Sequence, residues 1–136
     1  MYQPIAITAA STLDRDSHAN TILRLNHTTG FTTTMPAAIG SGDVYNFYVQ
    51  ATVTSGNMIV AAAGTDIING TLDLSTDVGG VTCPATATSD YITMNGSTTG
   101  GLLGSAFTLT DVASGVWHVK GGLVCSGSEA TPFAAT

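Results

Sequence analysis

No stretch of this chain keeps apolar residues at helical spacing. Short segments that alternate in period two recur instead, each bounded by Gly, Pro, Asn or Asp. Ile5 to Ala9 opens the series, and Thr21 to Leu25 follows with Leu23 and Leu25 on one face and Ile22 and Arg24 on the other. A Thr-rich strand over 31–35 stops at Pro36, which cannot donate to a ladder. The Gly40-Ser41-Gly42-Asp43 turn feeds the most strand-like segment, 44–50, whose Tyr45, Phe47 and Val49 share a face and are assigned to the core.

Further along, Ser55-Gly56-Asn57 reads as a hairpin turn into 58–61, and Asn69-Gly70 as a turn between 66–68 and 71–74. Val78-Gly79-Gly80-Val81 reads as another turn, 90–94 runs into Asn95-Gly96, and 98–101 reads as flexible. Strands over 103–110 and 116–120 form a last pair, turned by residues 111–115. Leu72, Leu74, Ile92, Leu109, Trp117 and Val119 join the expected core. Strands at this spacing predict a single all-β domain over 1–136, a β-sandwich or jelly-roll-like barrel of short antiparallel strands. Residues 13–121 form its β core, and 1–12 and 122–136, poor in bulky apolar side chains, are expected as extended terminal arms.

Composition narrows the function classes. The chain has three basic and nine acidic residues in 136, with a net charge of −6. Ordinary domains carry roughly a quarter charged residues, and interface cores are depleted in Lys, Glu and Asp, so this surface suits contact with protein. Arg15, Arg24 and Lys120 are scattered, which argues against nucleic acid and against anionic membranes. No apolar run approaches the roughly 20 residues of a membrane span, and Met1-Tyr2-Gln3-Pro4 lacks the basic and apolar regions of a signal peptide. Synthesis in the cytosol is the expectation. Asn26, Asn69 and Asn95 begin glycosylation sequons that, without a signal peptide, read as unused.

Chemistry-bearing patterns are sparse. Asp14-Arg15-Asp16-Ser17-His18 places a Ser, a His and acids side by side, but a catalytic triad is defined in space, so the segment reads as a solvated turn with a local salt link. His27 and His118 lack partners at metal-binding spacing. Asp66, Asn69, Asp73 and Asp77 could supply oxygens to calcium, yet spread along a strand-turn-strand they read as groups that solvate sheet edges. No carboxylate pair is marked out for glycoside hydrolysis, and Gly40-Ser41-Gly42 lacks the third glycine and helix of a phosphate site. The expectation is therefore no enzyme, no cofactor and no metal. Cys83 and Cys125 fit either two small buried thiols or a bridge worth roughly 4 kcal/mol in loop closure. Trp117, between Val116 and Val119, reads as core, with an exposed sugar-stacking role as the alternative.

Several segments taken together carry a resemblance: 25–34 ahead of Met35-Pro36-Ala37-Ala38, then 40–49, then 93–101, then Asp111 to Trp117, and finally Gly127 to Phe133. The series resembles the small capsid decoration proteins, also called cement or head-stabilising proteins, of tailed bacteriophages. The resemblance implies a β-rich protein on the virion capsid surface, often a homotrimer at three-fold positions. It implies the major capsid protein and other copies of the chain as partners, and it brings no catalytic residues.

Under that reading the arms supply the capsid or subunit interface through Tyr2, Ile5, Ile7, Leu123, Val124, Pro132 and Phe133. Arms can add strands to exposed sheet edges, where main-chain hydrogen bonds give affinity without charge. The competing expectation is a carbohydrate- or receptor-binding knob on the phage head or fibre, in which Trp117, Tyr45, Tyr48 and Tyr91 form a platform for host glycans.

Overall fold

A computed structural model describes residues 3–136; Tyr2 lies outside the described residues. Twelve strands and one helical turn are present among them. In chain order they are β1 (Ile5–Ile7), β2 (Ser11–Thr12), α1 (Arg15–His18), β3 (Ile22–Leu25), β4 (Thr32–Thr34), β5 (Val44–Val49) and β6 (Met58–Ala61). They continue as β7 (Ile67–Thr76), β8 (Gly79–Pro84), β9 (Tyr91–Met94), β10 (Ala106–Ala113), β11 (Val116–Val124) and β12 (Phe133–Ala134). A seven-stranded sheet runs β1-β3-β5-β10-β11-β7-β8, and a five-stranded sheet runs β12-β9-β6-β4-β2. The two sheets pack face to face as an all-β sandwich around one apolar cluster.

Period-two patterning builds that core. In β5 Tyr45, Phe47 and Val49 point inward while Val44, Asn46 and Tyr48 point out. β10 repeats the pattern beside it, so Phe107 lies opposite Phe47 and their rings stack with centroids 5.1 Å apart. Tyr45 meets Trp117 edge to face at 5.4 Å, a geometry that aligns the rings' quadrupoles. The smaller sheet contributes Met58, Val60, Ile92 and Met94 from its inner face. Leu23, Leu25, Tyr45, Phe47, Val49, Leu72, Leu74, Ile92, Leu109, Trp117 and Val119 are all buried.

The strand pairing departs from the antiparallel expectation. Between β1 and β6 the chain alternates sheets at every step, so β1, β3 and β5 return to one sheet in the same direction, and β2, β4 and β6 to the other. Those neighbours pair in parallel, like turns of a flattened coil. Ser55-Gly56-Asn57 is accordingly a corner between sheets and not a hairpin, since β5 and β6 belong to different sheets. β7 also pairs in parallel with β11.

Three expected turns lie inside strands. Asn69 and Gly70 belong to the ten-residue β7 and pair with His118 and Val119. Gly70 is needed there for close approach: a Cβ would sit 2.2 Å from the Val119 carbonyl oxygen, and φ is +118°. Gly79 and Gly80 are in β8, and the turn is formed by Asp77 and Val78. β10 runs through Asp111 to Ala113, ending at a bulge.

Of the segments 1–12 and 122–136, expected as arms, the described residues 3–12 and 122–136 are woven into the sandwich. β1 pairs with β3 and β2 with β4, while β11 runs on to Val124 and β12 pairs with β9. Ile7, Leu123, Pro132 and Phe133 are buried within this chain and Ile5 is half-buried, leaving Val124 exposed. β11 runs through Gly121 and Gly122, which pair with Phe107 and Ala106 of β10, and Phe107 occupies the space that a Gly121 Cβ would fill.

Candidate functional site: one polar lock and two exposed sheet surfaces

The period-two phase that buries Phe107 and Leu109 also carries Asp111 inward, where its side chain is fully buried. A buried carboxylate is costly unless its oxygens are occupied, and here they are. The Ile39 amide donates to it at 3.1 Å, the Gly40 amide at 2.7 Å and the Ser41 hydroxyl at 2.8 Å. Arg15 reaches it from α1, with Nη2 at 3.3 Å, while its Nε donates to Asp43 at 2.5 Å. Burial pushes the Asp111 carboxyl up, and the Ile39, Gly40 and Ser41 donors outweigh it, holding the group below the ordinary carboxylate range.

Arg15 was expected to pair within its own segment; it bridges two distant acids instead. The local work is done by Asp14, which caps α1 by accepting from the Ser17 amide at 2.8 Å and lies 3.6 Å from the His18 ring. No hydroxyl is placed by this cluster for nucleophilic attack: Ser41 is committed to Asp43 and Asp111. Its neighbours Ser114 and Gly115 make Asp111 look like the start of a turn, although the alternation of Phe107 and Leu109 points it inward.

The first exposed surface is the β8 edge. Of the four strands that border the sheets, β1 has three residues, β2 and β12 two each, and β8 six. Gly79-Gly80-Val81-Thr82-Cys83-Pro84 carries no charge, and only Pro84 blunts it. The smaller sheet does not cover this strand, so Val81 remains 46% exposed and Val78 at the hairpin tip 96%. Val124 lies close by on the outer face, opposite Ser75, which in turn pairs with Gly80.

The second surface is a concavity of about 960 Å³ on the outer face of the larger sheet. Cross-strand register explains it. One row runs Arg24, Tyr48, Ala106, Gly122, Asp73, Thr82, so that two of the smallest residues sit between taller neighbours. The next row runs Ile22, Asn46, Thr108, Lys120. Thr108 donates to Asn46 at 3.0 Å, Thr82 to Asp73 at 2.6 Å, and Arg24 to Gln50 at 2.5 Å. Two of the three basic residues thus share one face, and neither makes an ion pair among the described residues.

The aromatic platform expected for glycans is not assembled. Trp117 and Tyr45 are fully buried, and the half-buried Tyr48 and Tyr91 lie on different sheets. The oxygen ligands considered for calcium are also dispersed: Asp66 accepts from the Ala38 amide at 2.8 Å, and Asp73 and Asp77 stand apart along the β7–β8 hairpin. Among the described residues no group of three His, Cys, Asp or Glu side chains comes together. Cys83, half-buried, and Cys125, buried, are free thiols, and burial pushes both up. Comparison of the chain with protein families, with curated proteins and with solved structures finds no match.

Proposed function

We propose that this chain is a non-enzymatic structural protein of a tailed-bacteriophage virion, which decorates the capsid and clamps neighbouring major capsid protein subunits as a homotrimer at three-fold positions. The observation that carries the reading is the β8 edge: six uncharged residues with open main-chain groups and exposed Val78 and Val81. An edge of this kind is a template for another strand, and natural proteins ordinarily blunt it with Lys, Pro or a short length. A chain that leaves it open, on a surface poor in charge, gains if a partner strand completes the sheet.

The role follows from binding thermodynamics. A clamp that recognises only the expanded lattice stabilises that lattice by mass action. Three linked copies raise the effective concentration of each contact, so no single contact needs to be strong. The edge replaces the terminal arms as the contact element, because the strands β1 and β12 of those segments pair within the sandwich.

Co-sedimentation with expanded and unexpanded capsids, with light scattering on the free protein, tests this. The wild type is expected to pellet with expanded capsids, and Val81→Lys to stay in the supernatant while its melting temperature holds. A strict monomer that fails to pellet overturns the proposal.

A further inference from the structure

The outer concavity has features that edge pairing leaves unexplained. It lies over the middle of the larger sheet, where β5, β10 and β11 are each paired on both sides. Their main-chain groups are spent in the ladders, so an extended peptide finds nothing there to pair with. A ligand must be read through side chains alone. Those available are the Tyr48 ring, the apolar side chains of Ile22 and Pro4, the hydrogen-bonded pair of Asn46 and Thr108, the carboxylate of Asp73 and the two cations Arg24 and Lys120.

From this we infer that the concavity binds an acidic carbohydrate, a uronate-bearing oligosaccharide. Sugar rings have apolar faces and hydroxyl-bearing rims: Tyr48, Ile22 and Pro4 offer apolar surface around the gap left by Ala106 and Gly122, and Asn46, Thr108 and Asp73 offer amide, hydroxyl and carboxylate groups. The charges select the acid. In a chain of net charge −6, Arg24 and Lys120 are unpaired cations on strands separated by β5 and β10. Three interstrand steps and a two-residue offset along the strands put their backbones about 16 Å apart, a span that reaches over more than one sugar ring. Gln50 accepts from Arg24 and steadies its planar guanidinium, which can pair two-pronged with a carboxylate. This site shares no aromatic ring except Tyr48 with the platform that the fold dismantles, and it does not depend on capsid binding.

Titration calorimetry with polygalacturonate oligomers tests the inference, using the methyl-esterified oligomers and an oligoglutamate as the comparison probes. The acid form is expected to bind, the ester at least tenfold more weakly, and Arg24→Gln or Lys120→Gln to weaken the acid form by about tenfold each. Ala106→Phe, which fills the gap from an exposed position, is expected to abolish binding with the melting temperature retained. Absence of binding, equal binding of ester and acid, or indifference to both cation variants overturns the inference. Equal or tighter binding of oligoglutamate also overturns it, in favour of an acidic protein segment. Capsid co-sedimentation of the same variants separates the two surfaces, since loss at the concavity leaves the β8 edge intact.

Discussion

Arg15 and Asp111, 96 positions apart in the chain, meet with Nη2 3.3 Å from a carboxylate oxygen that has no exposure to solvent. The contact ties α1 to the end of β10 and fixes the loop over residues 39–43 between them. Its weight is unequal on the two sides, because Asp111 also holds two amides and a hydroxyl while Arg15 is partly solvated.

That inequality sets the first prediction. Asp111→Asn keeps the shape but turns an amide group toward donors and removes the charge facing Arg15, so it is expected to cost about 3 kcal/mol. Arg15→Ala leaves Asp111 with its other donors and is expected to cost about 1 kcal/mol. Denaturant unfolding of both variants measures the pair, and equal losses would mean that the arginine dominates.

The same carboxylate gives a pH dependence. Asp111 is held below the ordinary range in the fold, and Asp43 and Asp14 are shifted the same way, with hydrogen bonds from Ser41 and from Ser17 the largest causes for those two. A carboxyl depressed in the folded state contributes stability that is fully present above its unfolded value, near 3.9, and is lost as pH falls through the folded value. Stability is expected to be level around neutrality and to fall below about pH 4. Urea midpoints as a function of pH test this, and Asp111→Asn is expected to flatten the acid limb.

Gly70 gives a purely steric prediction. Its Cβ-less approach to the Val119 carbonyl joins β7 to β11, and φ at +118° is strained for any L side chain. Gly70→Ala is expected to lose about 3 kcal/mol or more, whereas alanine at Gly42, where φ is +80° but the space is open, costs only the backbone strain, about 1 kcal/mol. Thermal unfolding of the two variants orders them.

Trp117 reports on the interior. It is buried against Tyr45, and its Nε1 has no hydrogen-bond partner. Trp117→Ala is expected to cost about 3–5 kcal/mol. Trp117→Phe gives up no hydrogen bond and is expected to cost about 2 kcal/mol or less. Tryptophan emission in the native protein is expected to be blue-shifted, and unchanged when oligosaccharide is added.

Much of the fold is legible in the sequence because alternation is a local signal. Tyr45, Phe47 and Val49 in β5 declare their faces without reference to any other strand. The pairing partner is a non-local property, which alternation within one strand does not carry. Ser55-Gly56-Asn57 and Asn69-Gly70 carry the same turn chemistry, yet one rounds a corner between sheets and the other lies within a strand where only glycine fits. The terminal segments look like arms because they are short of bulky side chains, but a two-residue strand such as β12 needs only Phe133 to anchor it. The exposed surfaces were less legible still. β8 becomes an edge, and Ala106 and Gly122 become neighbours, only through the order of strands.

Electron microscopy of expanded phage capsids incubated with the purified chain tests the central claim most directly. The account predicts added density at three-fold positions, fitted by three copies of the sandwich, with β8 of each against a strand of the capsid lattice or of the neighbouring copy. A bare lattice at saturating protein, or bound density with β8 facing solvent, would contradict it.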